Sequence, residues 1–324
     1  MYSFSKMPIS AQAIRDIVTH HFGSQSAIGS YHELKDGYFN AAYMIGFEDG
    51  SKCVLKAAPS DSVHVLHYEK NIMRAEVEAM RLVRQRTQVP VPEIICYDTS
   101  RSIIPTDFFI MSFIAGVPFN KLRSSLPEDE QKTIGREVGR FARQMNEITA
   151  TRFGYYAQDQ SQRSSWREAF DLMLDWLLTD GQTMQVALPV PYDELRHWMR
   201  QGYAVLDEVT TPRLVHWDLW DGNIFVDPTT RSITGLIDFE RALWADPLME
   251  FGFSDLQKQT AFVEGYGQNL LDTPDKKLRR VLYNLYLYLI MIIECYYRKY
   301  ETKDQENWAR GQFRKEWARL VDCT

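Results

Sequence analysis

Residues 213–247 read RLVHWDLWDGNIFVDPTTRSITGLIDFERALWADP. His216, Asp218, Asn223 and Asp238 fall within 23 residues of one another in this stretch. Leu214 and Val215 lead in as a strand. Ile224–Val226 is a short β-branched and aromatic run, and Asp227-Pro228-Thr229-Thr230 is a turn. Ile233–Ile237 reads as the next strand, with Asp238 at its end. Strand, loop, strand, turn, strand would aim two carboxylates and one amide at a common point. That arrangement suits a magnesium-held phosphate better than a core.

Upstream, residues 9–22 carry a helical apolar face of Ala13, Ile14, Ile17 and Val18, with Ser10 to cap it and Gly23 to end it. Strand signals follow at Tyr31–Leu34, Ala42–Phe47 and Cys53–Lys56, the last two joined by a Glu48-Asp49-Gly50 turn. The loop Lys35-Asp36-Gly37-Tyr38-Phe39-Asn40 precedes a strand and could cover a phosphate. Lys56 ends its strand among Val54, Leu55, Ala57 and Ala58, so it is partly buried and needs an anionic partner. The next helix, about 69–86, offers Glu76 or Glu78; Met73, Val77, Met80 and Val83 form its apolar stripe, which Glu76 adjoins.

Val89-Pro90-Val91-Pro92 breaks that helix. Glu93–Tyr97 and Phe108–Met111 are two more strands, and Ser112–Gly116 leaves as a linker. Apart from 213–247, the chain beyond is helical: about 127–148, 164–179, 194–209 capped by Asp193, 247–266, 274–300 and 304–321. The lobe boundary therefore falls at 112–116. The tyrosines that crowd 283–300 read as packing residues whose hydroxyls reach a surface.

Phosphoryl transfer needs a cation over the triphosphate, oxygen ligands for a metal, and a carboxylate beside the attacking hydroxyl. Lys56 supplies the first, Asn223 and Asp238 the second, and Asp218 the third. H-x-D-x-x-x-x-N followed 15 residues later by I-D-F is a specific spacing.

The stretch VHWDLWDGNIFVD…GLIDFERALWADP resembles the catalytic and metal-binding segments of the aminoglycoside phosphotransferase family, a small-molecule branch of the protein-kinase-like fold. The resemblance covers most of the chain. LKDGYFNAAYMIGFEDGSKCVLKAAP is similar to the family's nucleotide loop and strand lysine, and RAEVEAMRLVRQRTQVPVPEIICYD to its helix with the lysine-pairing glutamate. FFIMSFIAGVPF resembles its hinge, IGREVGRFARQMNEI the helix that follows, and FVEGYG a late segment.

The resemblance implies a two-lobed α+β fold. An antiparallel-sheet nucleotide-binding lobe would span 1–111, a hinge 112–116, and a mostly helical lobe with the catalytic loop and substrate site 117–324. It implies that Lys56 holds the α- and β-phosphates of ATP (or GTP) and that Glu76 pairs with it, Glu78 being the alternative. Met111 would close the back of the adenine pocket, and the backbone of Ser112 and Ile114 would meet the adenine edge. Asp218 would be the base, Asn223 and Asp238 the Mg²⁺ ligands, and His216 a brace for the loop.

Three departures bear on the acceptor and leave the catalytic groups in place. Trp217 stands where glycine is usual, Asn146 where histidine is common, and Glu250 where aspartate is frequent. Acidic Asp221, Glu240, Glu250, Asp255, Glu264 and Glu294 would suit an amine-bearing hydroxylated substrate. Trp217, Trp220 and Trp244 either stack on that substrate or pack the loop.

Composition narrows the remaining classes. A formal net charge of −6 gives no electrostatic case for nucleic acid. Cys53, Cys96, Cys295 and Cys323 have no paired spacing, which fits a reducing cytoplasm and no disulfide framework. Leu285–Ile293 is too short to span a bilayer. The expectation is an ATP- and Mg²⁺-dependent kinase of a small alcohol, an aminoglycoside or other amine-bearing compound leading. The alternative is a nucleotide-binding protein without turnover that acts through a partner surface.

Overall fold

The computed structural model describes residue 6, residues 8–35, residue 37 and residues 39–251, 260–268 and 271–323. Asp36 and Tyr38 of the expected phosphate-covering loop, and Asp255, lie outside the described residues. By packing the chain divides into two compact units. The first comprises Met1–Val65, Pro92–Ala115 and Arg298–Glu301; the second comprises Leu66–Val91, Gly116–Tyr297 and Thr302–Thr324.

The first unit is one helix and one antiparallel sheet. Helix α1, Ala11–Phe22, starts where Ser10 Oγ accepts from the Ala13 N–H and stops at Gly23, whose φ of +87° a side chain would resist. Strands β1 (Ile28–Glu33), β2 (Ala41–Phe47), β3 (Lys52–Ala57), β4 (Ile94–Asp98) and β5 (Phe108–Ser112) pair in the order β1-β2-β3-β5-β4. The β2–β3 turn is held by Asp49, whose carboxylate accepts from the Ser51 N–H and hydroxyl. Ile14, Ile17 and Val18 of α1 pack with Tyr43, Ile45, Leu55, Phe108 and Ile110 into one core.

The second unit opens with α2, Ile72–Arg86, whose stripe of Met73, Val77, Met80 and Val83 is buried. A cut at 112–116 would leave this helix with the sheet; its packing against the turn at Phe239–Arg241 puts it in the second unit. The short strand β6 (Val117–Pro118) and helix α3 (Phe119–Leu122) lead to α4 (Glu128–Asn146). Strand β7 (Gly154–Tyr155), α5 (Trp166–Thr183) and α6 (Tyr192–Gln201) come next. Strands β8 (Arg213–Val215), β9 (Ile224–Val226), β10 (Ile233–Leu236) and β11 (Leu243–Ala245) follow, then α7 (Thr260–Tyr266), α8 (Pro274–Arg298) and α9 (Asp304–Cys323). Two small sheets, β10-β9-β6 and β7-β11-β8, fix both ends of the 213–247 stretch. Strands β6, β7 and β11 are too short to show a period in sequence.

Three expectations need correction. Helix α6 begins at Tyr192 with Pro191 as its cap, so Asp193 lies in the first turn and complements the dipole instead of capping. A 3₁₀ turn replaces the start of the 247–266 helix at Pro247–Phe251, and Thr260–Tyr266 is helix. Tyr283 and Tyr286 do not send their hydroxyls to a surface. The Tyr283 hydroxyl accepts from Trp166 Nε1–H (2.7 Å) and donates to Asp246 (2.9 Å), while Tyr286 meets the Tyr155 hydroxyl. Burying them inside the α5–α8 core requires these internal partners.

Helices α4 and α7 approach on glycine. A Cβ on Gly139 would lie 2.1 Å from the Phe262 carbonyl oxygen and 2.7 Å from the Tyr266 nitrogen, both backbone atoms. Gly139→Ala should therefore force the two helices apart and cost about 2 kcal/mol or more in urea unfolding. A loss under about 0.5 kcal/mol, the level of an ordinary surface change, would contradict this packing.

Candidate active site

Strand β8 ends at Val215, and His216, the next residue, is fully buried. Its Nδ1 accepts from the backbone N–H of Asp218 at 3.1 Å, so the ring proton is on Nε2 and is donated to the Ile237 carbonyl at 3.0 Å. Burial lowers the imidazole pKa to about 4, with the Ile237 carbonyl and Asp238 opposing it in part. The ring is therefore neutral at pH 7 and acts as a clamp between the two strands of the site. No second nitrogen or sulfur ligand is needed to explain it.

Trp217, next in the chain, has φ +60°. Its indole is buried and stacks on Tyr286, with centroids 5.7 Å apart and planes 9° apart. Of the two readings open for Trp217, packing the loop or stacking on a substrate, this burial favours packing. Trp244 is also buried and stacks on Tyr156 at 5.2 Å, so it too packs the scaffold. Trp220 is the exposed one of the three, its ring lying over Gly222.

Asp218 and Asn223 are brought together. The Asn223 Nδ2 donates to the Asp218 carbonyl at 2.8 Å and to its carboxylate at 2.9 Å. With both amide protons directed at Asp218, the Asn223 amide oxygen is turned the other way. Desolvation raises the Asp218 pKa to about 7; Arg241 pulls it down, and Asp238 and Glu294 push it further up. Asp238 closes β10 with φ +70°, and the Ile237 N–H beside it donates to the Asn223 carbonyl at 3.1 Å. This left-handed turn sets the Asp238 carboxylate with those of Glu76 and Glu240, one oxygen of each within 4.8 Å of the others.

Glu76 is completely buried, whereas Glu78 is half-exposed and accepts from Arg74 at 2.8 Å. Lys56 is buried in β3, with its ammonium 6.0 Å from the Phe109 ring centre. Lys56 belongs to the first unit and Glu76 to the second. Met111 is buried in β5, and Ile114 follows it in the first unit. The Ser112 N–H donates to the Glu93 carbonyl at 2.8 Å, so that donor is not available to a ligand.

Most of the acidic positions read as acceptor contacts are engaged within the second unit. Asp221 pairs with Arg123 at 2.5 Å, Glu264 with Arg136 at 3.4 Å and Glu294 with Arg241 at 3.3 Å. Glu240 joins the Glu76–Asp238 group. Glu250 is buried and accepts from the His216 N–H at 2.5 Å. Asn146 is buried, donating to the Leu214 carbonyl and accepting from the Tyr266 hydroxyl. Sequence reasoning passed over Arg241, the cation that acts on Asp218, and Tyr68, whose hydroxyl joins Arg241 and Glu294. Arg241 stands three residues after Asp238, and that proximity was the available signal; Tyr68 is 173 residues away from Arg241 and left none.

Comparison with known proteins places these features. A family model described as "Phosphotransferase enzyme family" matches residues 30–278. One curated relative, described as "Probable acyl-CoA dehydrogenase" from Arabidopsis thaliana, is 24% identical over 67% of this chain, which spans little more than a quarter (27%) of the relative's length. Another, described as "Probable ketoamine kinase" from Vibrio parahaemolyticus, is 24% identical over 65% of this chain and 70% of its own. Among solved structures, the GDP complex of aminoglycoside 2'-phosphotransferase-IIIa superposes with a TM-score of 0.66 at 15% identity, covering 96% of this chain and 99% of that one. The α+β, protein-kinase-like fold is shared with it.

Two tests follow from the loop. Trp217→Gly relieves the left-handed backbone by about 1 kcal/mol but empties a buried indole site worth about 3–5 kcal/mol. Denaturant unfolding should show a net loss of roughly 2–4 kcal/mol; an unchanged or raised stability would remove Trp217 from the core. For Glu250, burial raises the pKa to about 7, against an ordinary value of 4.5. The folded state then holds a proton that the unfolded state releases between these values, so Glu250 makes stability fall as pH rises from 4.5 to 7. Glu250→Gln should gain on the parent across that window, by up to about 3 kcal/mol, in urea unfolding at pH 5, 6, 7 and 8. A pH-independent difference would contradict the buried-carboxyl assignment.

Proposed function

The chain belongs to the phosphotransferase enzyme family, and we propose that it is a small-molecule kinase. It would move the γ-phosphoryl group of ATP (or GTP) to a hydroxyl of an aminoglycoside or other amine-bearing compound, with Mg²⁺. The observation that carries this reading is the Asp218–Asn223 clamp. It orients a carboxylate whose pKa lies near neutrality, where a general base works best. Asp218 would take the proton of the acceptor hydroxyl, and the Asn223 amide would keep its carboxylate aimed during that step. His216, neutral and buried, would keep the loop from shifting as the proton moves.

The donor set fits Mg²⁺: the outward amide oxygen of Asn223 and the carboxylate of Asp238, with Glu76 and Glu240 beside it, are hard oxygen ligands. When bound, the ion would neutralise charge on the phosphate oxygens. Lys56 would hold the α- and β-phosphates, with Glu76 as its partner in preference to the surface-paired Glu78. Met111 and the backbone at Ser112 and Ile114 would receive the adenine, Ser112 through its carbonyl.

The acceptor class is supported by chemistry common to the names of the relatives, since ketoamines and aminoglycosides both carry amines. Among the tryptophans, Trp220 has the exposure to meet such a ligand. Among the described residues, no helix is long and apolar enough to cross a membrane. Cys53, Cys96 and Cys295 are free thiols, and a cytoplasmic site of action accords with that.

Turnover against a panel of aminoglycosides, ketoamines and other amino alcohols tests the reading. Asp218→Ala should lower kcat on the best acceptor by about 100-fold or more while nucleotide affinity stays close to the parent's. Near-normal turnover in that variant would remove Asp218 from the base role. Nucleotide binding with no acceptor turned over and no effect of Asp218→Ala would favour the non-catalytic alternative.

A further inference from the structure

The first unit carries a cluster of metal-ligating side chains that phosphotransfer chemistry does not use. His20 and His21 lie in the last turn of α1, and Asp98 ends the edge strand β4. One ligand atom from each of the three lies within 4.8 Å of the others. We propose that His20, His21 and Asp98 form a binding site for a divalent transition-metal ion, with Zn²⁺ as the lead.

The geometry at its centre is that of two ligands around one ion. His21 Nε2 and Asp98 Oδ2 stand 3.7 Å apart, too far for a hydrogen bond. Two ligands at about 2.0–2.1 Å from a tetrahedral ion lie roughly 3.4 Å from one another, so a small closure seats a metal between them. The nitrogen that faces this gap, His21 Nε2, is buried and has no hydrogen-bond partner. A polar atom left in that condition costs stability unless a ligand meets it.

The surroundings orient the donors as a metal site requires. Asp98 uses its other oxygen, Oδ1, to accept from the Ser100 N–H at 2.7 Å, which leaves Oδ2 turned to the histidines. The His21 ring is held edge-on to Phe108, with centroids 5.6 Å apart. His20 stands edge-to-face with His21 at 4.8 Å and is exposed, so it can swing onto an ion from the solvent side. Burial and the neighbouring His20 keep the His21 pKa low, which favours the neutral, metal-ready imidazole. The C-terminal end of the α1 dipole adds a negative field that suits a cation.

Two imidazoles and a carboxylate select a borderline ion such as Zn²⁺ and discriminate against Mg²⁺. Three protein ligands leave a fourth position for water. The ion would tie the end of α1 to β4.

The test uses the full-length, untagged chain, stripped with a chelator and titrated with Zn²⁺ against a chromogenic competitor. A parallel titration with Co²⁺ reads the visible bands of a four-coordinate site. One equivalent should bind. Affinity should fall by about tenfold or more in both His20→Ala and Asp98→Asn, and stay unchanged in Asp238→Asn, which disables the proposed Mg²⁺ site. Zn²⁺ should raise the melting temperature of the parent by more than that of His20→Ala, whereas any shift with Mg²⁺ should be the same in both. His20 is exposed and asparagine preserves the turn at Ser100, so both variants should keep the parent's metal-free melting temperature. Equal Zn²⁺ affinity and equal thermal shift in parent and variants, or no binding by the parent, would overturn the site.

Discussion

The His216 imidazole is buried, and each of its nitrogens must find one partner there. One nitrogen accepts from the Asp218 N–H, and the other donates to the Ile237 carbonyl. The two residues that present carboxylates, Asp218 and Asp238, are thus tied through one rigid ring: Asp218 directly, and Asp238 through its neighbour Ile237. A charged imidazole could not serve, because both nitrogens would then donate and the Asp218 N–H would face a proton. The low pKa of the ring is a condition of the loop's geometry. The His216 backbone is anchored by Glu250, and the start of β8 by Asn146, which donates to the Leu214 carbonyl. The anchoring of the loop therefore descends from buried residues behind it.

Of three non-glycine residues in the left-handed region within 213–247, namely Trp217, Arg231 and Asp238, the first and last turn the site loop. For most side chains this conformation costs roughly 1–2 kcal/mol, so each must be held by its surroundings. Asp238 is of a type that tolerates the region, and the turn it makes directs its carboxylate toward Glu76 and Glu240. Trp217 has no such tolerance. Its indole is buried against Tyr286, and burying an aromatic ring of that size returns more than the backbone costs. A glycine would give the turn for less strain but no grip on α8. The tryptophan converts a permissive position into an anchor between the 216–223 loop and the helical core.

These two facts explain what could be read from the sequence. The spacing from His216 to Asn223 to Asp238 is local, and local spacing survives in the chain order; so do the α1 cap, the β2–β3 hairpin and the α2 stripe. Placing Glu76 inside and Glu78 outside also follows from helical phase, since one adjoins the apolar stripe and the other does not. What the sequence hides is pairing across distance. Glu250 and Glu294 look like surface carboxylates available to a cationic ligand until His216 and Arg241 are seen to claim them. The tryptophans look like a stacking platform until Tyr286 and Tyr156 are found beneath Trp217 and Trp244. The buried hydroxyls of Tyr283 and Tyr286 on α8 likewise look improbable until Asp246 and Tyr155 are placed against them.

Charge balance in the second unit gives the last step. Asp218, Asp238, Glu76, Glu240 and Glu294 are drawn into one neighbourhood, and Arg241 is the cation whose pull on Asp218 is felt. Arg241 is itself committed to Glu294 and to the Tyr68 hydroxyl. Like charges held this close raise one another's pKa values, and Asp218 shows it. A fold gains nothing in stability from such crowding, since apolar residues of similar size would serve at least as well. A cation entering among these carboxylates would offset their mutual repulsion, which accords with the proposed Mg²⁺ site. Crowded carboxylates beside a clamped Asp218 thus fit the metal and nucleotide of the proposed function.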